Sequence, residues 1–241
     1  MKYQTYIAGM FLLGTITSAG ASDQIPITRD PEPQDWDFVA LVKGYQELIP
    51  SEIQDLLQRL SPSDLLKGAA WTYVQSIQPS ISEPSAPFAV EISQILIPIP
   101  FETFSVSFPI HEWGQKLRQY IGGQVRVVEK NALGLPVRQV ERMVLCAPLQ
   151  NQDMTKAEQI EYAVGRSTVY WRVYHSDNGT TEADLGKLEM IAYDTGSTLL
   201  TFHSAHRLRM SGVLIPNWIV RPMLKETFLG HLRHYKHLVE F

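Results

Sequence analysis

Residues 216–241 read PNWIVRPMLKETFLGHLRHYKHLVEF, and this stretch decides the fold. Apolar side chains recur at helical spacing: Ile219, Met223, Phe228, Leu232, Tyr235 and Val239, with Trp218, Leu224 and Leu238 widening the stripe. Pro216 suits a first helical turn, and Pro222 predicts a start or a kink at its own position. Lys225, Arg233, Lys236 and His237 decorate other faces, and the later ones suit the negative end of the helix dipole. A helix this long cannot bury its apolar side alone, so the chain before it must supply the partner surface.

That chain is rich in strands. Residues 88–97 read as a strand, and 100–108 and 111–121 as two short helices. The second carries Trp113, Leu117, Tyr120 and Ile121 and is expected to stop at Gly122-Gly123. Six strand-like segments then follow as a meander: 124–130, 136–147, 159–164, 167–176, 185–193 and 197–208. The third is weak, since 155–163 also fits a helical turn. The fourth, Thr168-Val169-Tyr170-Trp171-Arg172-Val173-Tyr174, is dense in β-branched and aromatic residues. Asp177-Asn178-Gly179 and Asp194-Thr195-Gly196 carry turn chemistry.

Ahead of the strands, residues 22–34 hold Pro26, Pro31 and Pro33 and read as an extended lead. Three helical signals follow. The first spans 35–48, with Phe38, Val39, Leu41, Val42 and Tyr45. The second begins at Ser51, with Ile53, Leu56, Leu57 and Leu60. The third opens at Ser61-Pro62-Ser63-Asp64 and runs through Leu65, Leu66, Ala69, Tyr73 and Ile77. Prolines and serines mark 78–87 as a linker. The chain start, with Lys2, an apolar run over 7–16 and Ala19-Gly20-Ala21, predicts a cleaved signal peptide and a periplasmic or secreted protein beginning at Ser22. The expected organisation is thus 1–21 signal peptide, 22–87 lead, helical appendage and linker, and 88–241 main domain.

The whole chain has 21 basic and 25 acidic residues; losing Lys2 with the signal leaves 20 against 25, a net charge of −5. This balance argues against nucleic acid as a partner. A lone Cys146 permits no internal disulfide and reads as a small buried apolar residue.

The order strand, two short helices, six-stranded meander, long helix resembles the helix-grip fold of the START-like (SRPBCC) superfamily, which includes START lipid-transfer domains, Bet v 1 allergens and polyketide cyclases. The segments that carry the likeness are Pro98-Ile99-Pro100-Phe101-Glu102, Tyr193-Asp194-Thr195-Gly196-Ser197-Thr198-Leu199-Leu200 and the terminal helix. The resemblance implies an α+β fold in which a curved antiparallel sheet wraps the C-terminal helix, with the N-terminal helices as an appendage. It also implies an apolar cavity between sheet and helix that takes a lipid, sterol or polyketide. No universal catalytic signature comes with it.

Strand alternation nominates the lining. Leu200, Phe202, Ser204 and His206 share a face, as do Leu188, Met190 and Ala192, and Val169, Trp171, Val173 and His175. Turned inward, these faces place Trp171, Met190, Phe202 and His206 beside Met223 and Phe228 of the helix, with Arg142 a candidate to hold an anionic head group. His203 points away from His206. His231, His234 and His237 read as a solvated basic helix end rather than a metal set, and Asp177, Asn178 and Asp184 as turn formers rather than a calcium loop. No catalytic residue, metal or cofactor is assigned. The reading is an exported binding or carrier protein for a hydrophobic small molecule or lipid, with transient membrane contact among its expected partners. The alternatives are a cyclase- or hydrolase-type enzyme using His206 with Arg142 or Tyr174, and an interaction module docking through 35–77.

Overall fold

The computed structural model describes residues 25–79, 83–146 and 151–240. The expected signal peptide lies outside the described residues, as do parts of the 78–87 linker. A 3-10 turn at Pro33–Trp36 precedes α1 (Val39–Gln46), α2 (Ser51–Gln58) and α3 (Pro62–Lys67). Next come β1 (Ala69–Ile77), β2 (Ala86–Ile97), α4 (Phe101–Ser107) and a 3-10 segment at Ile110–Lys116. The meander is β3 (Tyr120–Lys130), β4 (Pro136–Leu145), β5 (Gln152–Ala163), β6 (Arg166–His175), β7 (Thr181–Asp194) and β8 (Ser197–Met210), followed by β9 (Val213–Leu214) and α5 (Asn217–Glu240). Among the described residues these nine strands form one antiparallel sheet in the order β1-β2-β8-β7-β6-β5-β4-β3, with β9 on β8.

Four sequence expectations are corrected. The third helix ends at Lys67 because Gly68 takes φ 80°, a left-handed cap that turns the chain into β1. Residues 69–77 therefore pair with β2 along their length as an edge strand, outside any helical appendage. The segment expected as a helix over 111–121 is a 3-10 segment ending at Lys116, and Tyr120 to Gly123 open β3 instead of stopping a helix. Residues 155–163 belong to a full strand, held by β4 and β6 on its two sides. Cys146 is exposed at the end of β4, not buried.

The sheet carries a core on each face. On the concave face, α5 crosses β1, β2 and β8, and α4 with the 3-10 segment covers the rest. On the convex face, Phe38, Val42 and Tyr45 of the α1 region pack on Tyr73, Val90, Tyr170 and Leu185. Tyr45 donates its hydroxyl to the Leu185 and His203 carbonyls. The α1 region is therefore built into the fold, and its apolar side is already spent on the sheet. In α5 the buried stripe is Val220, Leu224, Phe228, Leu229, Leu232 and Tyr235, turned from the expected one so that Trp218 faces solvent at 73% exposure and Met223 is half-buried. Pro222 is accommodated inside the helix.

Candidate functional site

The concave face combines an aromatic wall with buried charge. Trp113 and Trp171 lie with ring centres 4.6 Å apart, Phe228 meets Phe202 edge-on at 5.0 Å, and the Tyr235 hydroxyl donates to the Trp113 carbonyl. These rings occupy the space between α5 and the sheet. Alternation on β4 and β5 turns Gln139, Glu141, Lys156 and Glu158 toward the same interior, all of them buried.

Lys156 is the centre of the first cluster. Its Nζ lies 2.9 Å from Glu141 Oε2 and 2.8 Å from Glu158 Oε1, and 3.4 Å from the centre of the Trp113 ring. Burial works against the Lys156 ammonium, but the charges and hydrogen bonds of Glu141 and Glu158 outweigh it and hold its pKa above the ordinary value, and the Trp113 ring adds a cation–π contact. Glu158 also accepts from Trp113 Nε1 at 2.8 Å and Gln139 Nε2 at 2.6 Å. One ammonium cannot neutralise two buried carboxylates. Burial pushes the Glu141 carboxyl above its ordinary range, against the pull of Lys156, which makes Glu141 the member that takes a proton. Gly114 permits the packing, since a Cβ there would run into the Glu141 carboxylate.

The second cluster is a chain of hydrogen bonds. His206 Nδ1 lies 3.1 Å from Asp184 Oδ2, and His206 Nε2 lies 2.8 Å from Ser204 Oγ. Trp171 Nε1 donates to Asp184 Oδ1 at 2.8 Å, and Glu91 Oε2 stands 3.4 Å from Ser204 Oγ. Burial alone would raise the Asp184 carboxyl, but His206 and the Trp171 N–H hold it below its ordinary value. Burial pushes Glu91 well above the usual carboxylate range, against the hydrogen bonds of Ser93 and Ser204.

Of the residues nominated from sequence, Trp171, Met190, Phe202, His206 and Phe228 come together on the concave face. Arg142 does not join them. It sits on the opposite face of β4, where it binds Asp153, Asp177 and the Pro26 carbonyl of the lead. Tyr174 also points outward, donating to the Arg29 carbonyl, so neither residue can assist His206. Met223 stays outside the core cluster. His203 faces the convex side, as alternation predicts, and meets the Tyr73 hydroxyl at 3.1 Å. His231 is buried rather than solvated, accepting the Arg118 N–H at Nδ1; burial holds its pKa down at about 3.

Sequence reasoning missed Glu91, Glu141, Lys156 and Glu158, and placed Asp184 in a turn. In β5 Lys156 and Glu158 flank the apolar Ala157, so alternation by polarity turns the wrong face inward, and in β4 Glu141 and Arg142 are adjacent charges on opposite faces. The available signal was Ser204 and His206 on the apolar side of β8.

At one end the sheet splays. Pairing of β6 with β7 stops at Arg172 and Leu185, where an extra residue bulges on each outer side: Tyr174 against β5 and Glu182 against β8. A cavity of ≈ 260 Å³ opens between the strand ends, lined by Val173, His175, Thr181, Asp184, Leu185 and Arg209 among others. It reaches Asp184, the near end of the hydrogen-bonded chain.

No protein-family model matches the chain, and no curated protein matches it by sequence. Solved structures do match in shape. A STAR-related lipid transfer protein from Xanthomonas axonopodis is 14% identical, with 71% of this chain and 94% of that one covered at a TM-score of 0.50. An aromatase/cyclase from a Streptomyces species is 12% identical, covering 64% and 94% at 0.50. Human STARD10 is 11% identical, covering 72% and 69% at 0.51. With a curved antiparallel sheet gripping a long C-terminal helix, this chain has the helix-grip fold that these structures share.

Proposed function

We propose that this protein is an exported binding or carrier protein for a hydrophobic small molecule or lipid that carries a hydrogen-bonding group, held between the sheet and α5. The observation that carries the reading is the combination on one concave face of an aromatic wall with a surplus of buried acid, Glu91, Glu141 and Glu158 against the single ammonium of Lys156. A buried carboxyl without a full set of partners is costly, and the cost falls when a further partner arrives. A ligand alcohol, amine or acid group that pairs with these groups recovers this cost, while its apolar body meets Trp171, Phe202 and Phe228. The ring cluster must part for loading. The solved structures of like fold include one protein named for lipid transfer, which supports the substrate class. Export rests on the signal features of residues 1–21.

The test is native mass spectrometry with lipid extraction, on protein purified from the periplasm or medium of the expressing cell. The expected results are an N-terminus at Ser22 and a co-purifying hydrophobic molecule, lost or exchanged in Lys156→Met. Protein that is consistently empty, and that takes up none of a panel of fatty acids, sterols and phospholipids, defeats the binding reading. Retention in the cytoplasm with an intact N-terminus defeats export alone.

A further inference from the structure

We propose that Ser204, His206 and Asp184 form a nucleophilic triad that cleaves an ester of a hydrophobic acid inside this protein. The geometry is that of acyl transfer. Asp184 Oδ2 meets His206 Nδ1 at 3.1 Å, leaving Nε2, 2.8 Å from Ser204 Oγ, as the atom that receives the serine proton. The Trp171 N–H on the other Asp184 oxygen fixes that carboxylate in place. Ser204 and His206 lie two apart on β8 and face the same way, while Asp184 reaches them from the paired strand, since Asp184 is in register with His206. All three are at least nine-tenths buried.

A second observation points to a reacting oxygen. Glu91 is fully buried on β2, with Oε2 3.4 Å from Ser204 Oγ and the Ser93 hydroxyl as the carboxyl's other hydrogen-bond partner. The serine hydroxyl has a single proton. If it goes to His206, Glu91 can meet Ser204 only as a neutral acid, which is the form that burial favours. A neutral acid beside the nucleophile is a hydrogen-bond donor for the carbonyl oxygen as negative charge develops on it.

The steps balance without any further reagent than water. Ser204 Oγ bonds to the ester carbon as its proton moves to His206 Nε2, and the carbonyl pair shifts to oxygen. Collapse of this adduct breaks the bond to the alcohol oxygen, which leaves with the proton from Nε2. Water then gives a proton to Nε2 and adds to the acyl carbon; the Oγ–carbon bond breaks, Oγ recovers the proton, and a carboxylic acid departs. The apolar wall of Phe202 and Phe228 beside His206 selects a hydrophobic acyl group. The cavity between β6 and β7, which touches Asp184, is the side from which such an ester reaches the interior.

This proposal rests on the binding reading, because the ester must occupy the same interior, and the experiment separates the two. The intact protein is incubated with p-nitrophenyl butyrate, octanoate and laurate and with a fluorophosphonate probe; binding of a fluorescent fatty acid is measured in parallel. Expected are turnover that favours the longer chains, one phosphonyl adduct mapped to Ser204, and loss of both in Ser204→Ala with fatty-acid binding and melting temperature retained. Asp184→Asn is expected to lower kcat on the order of 10³-fold with KM unchanged, a split that a packing role does not produce. His206→Gln serves as the second inactive variant if Ser204→Ala melts early. Fatty-acid binding with neither adduct nor turnover, or turnover that survives Ser204→Ala, overturns the triad and leaves the binding reading standing. Absence of binding, adduct and turnover together overturns both.

Discussion

Lys156 Nζ is suspended 3.4 Å above the Trp113 ring, between Glu141 and Glu158, with all four side chains withdrawn from water. Lys156→Met removes the only charge in this cluster that opposes the two carboxylates. The expected cost is about 3–5 kcal/mol near neutral pH, because two buried acids are left together. Burial already raises Glu141, so its ionisation weighs on the fold as pH rises above the unfolded value. The deficit should therefore be smaller at about pH 5 than at about pH 8. Urea unfolding of both proteins at the two pH values checks it; equal deficits contradict the charge argument.

Glu91→Gln tests the neutral acid. A carboxyl whose folded pKa is raised weighs against folding above its unfolded value, and increasingly so until pH passes the folded pKa. The isosteric amide carries no such pH dependence. Glu91→Gln should then raise the melting temperature more at about pH 8 than at about pH 5. A variant that is destabilised equally at both shows that Glu91 is carried as an anion.

Two buried histidines set the acid limit. Burial holds both His203 and His231 at about 3, below the ordinary value of 6.5. The unfolded chain therefore takes up protons first. Stability is whole above the unfolded value and falls as pH drops from 6.5 toward 3, by up to about 1.4 kcal/mol per pH unit for each histidine. His231→Gln, whose amide oxygen can still accept from Arg118 N–H, should flatten this slope by one histidine's share. Unfolding curves between neutral and mildly acidic pH measure it.

Phe228 joins the helix to the sheet, its ring 5.0 Å from Phe202 and 5.2 Å from His206. Phe228→Ala should cost about 3–5 kcal/mol. The space it leaves borders His206, so the variant should also bind a fluorescent fatty acid with altered affinity. A cost below about 0.5 kcal/mol, the range of ordinary surface sites, contradicts the packing described above.

Met210, Val213, Leu214 and Trp218 lie exposed where β9 leads into α5, with Val213 at 70% and Trp218 at 73%. Arg209 and Arg221 border them in the chain. We propose this surface for the transient membrane contact. Val213→Ser with Trp218→Ser removes on the order of 3 kcal/mol of apolar transfer, so partition onto phosphatidylglycerol vesicles should fall on the order of 100-fold. The melting temperature should be unchanged. Equal vesicle binding by the double variant places the contact elsewhere.

Local chemistry was enough for the helix-grip order. Helical periodicity marked α5, β-branched and aromatic density marked β6, and alternation on β8 turned Phe202, Ser204 and His206 to one side and His203 to the other. Those signals survive folding because the backbone period alone sets which side chains share a face. Other features depended on partners far away in the chain. A slight turn of α5 about its axis swaps Trp218 and Met223 for Val220 and Leu229, and only the curvature of β1, β2 and β8 beneath the helix selects between them. Residues 69–77 carry an apolar pattern that suits a helix or a strand; the open edge of β2, eight or more residues downstream, makes them a strand. Arg142 and Glu141 are neighbours in sequence, and β4 sends them to opposite faces because Asp153 and Asp177 await one and Lys156 the other. Buried charge is tolerable only beside its counter-charge, and those pairings exist only once the sheet has closed over them.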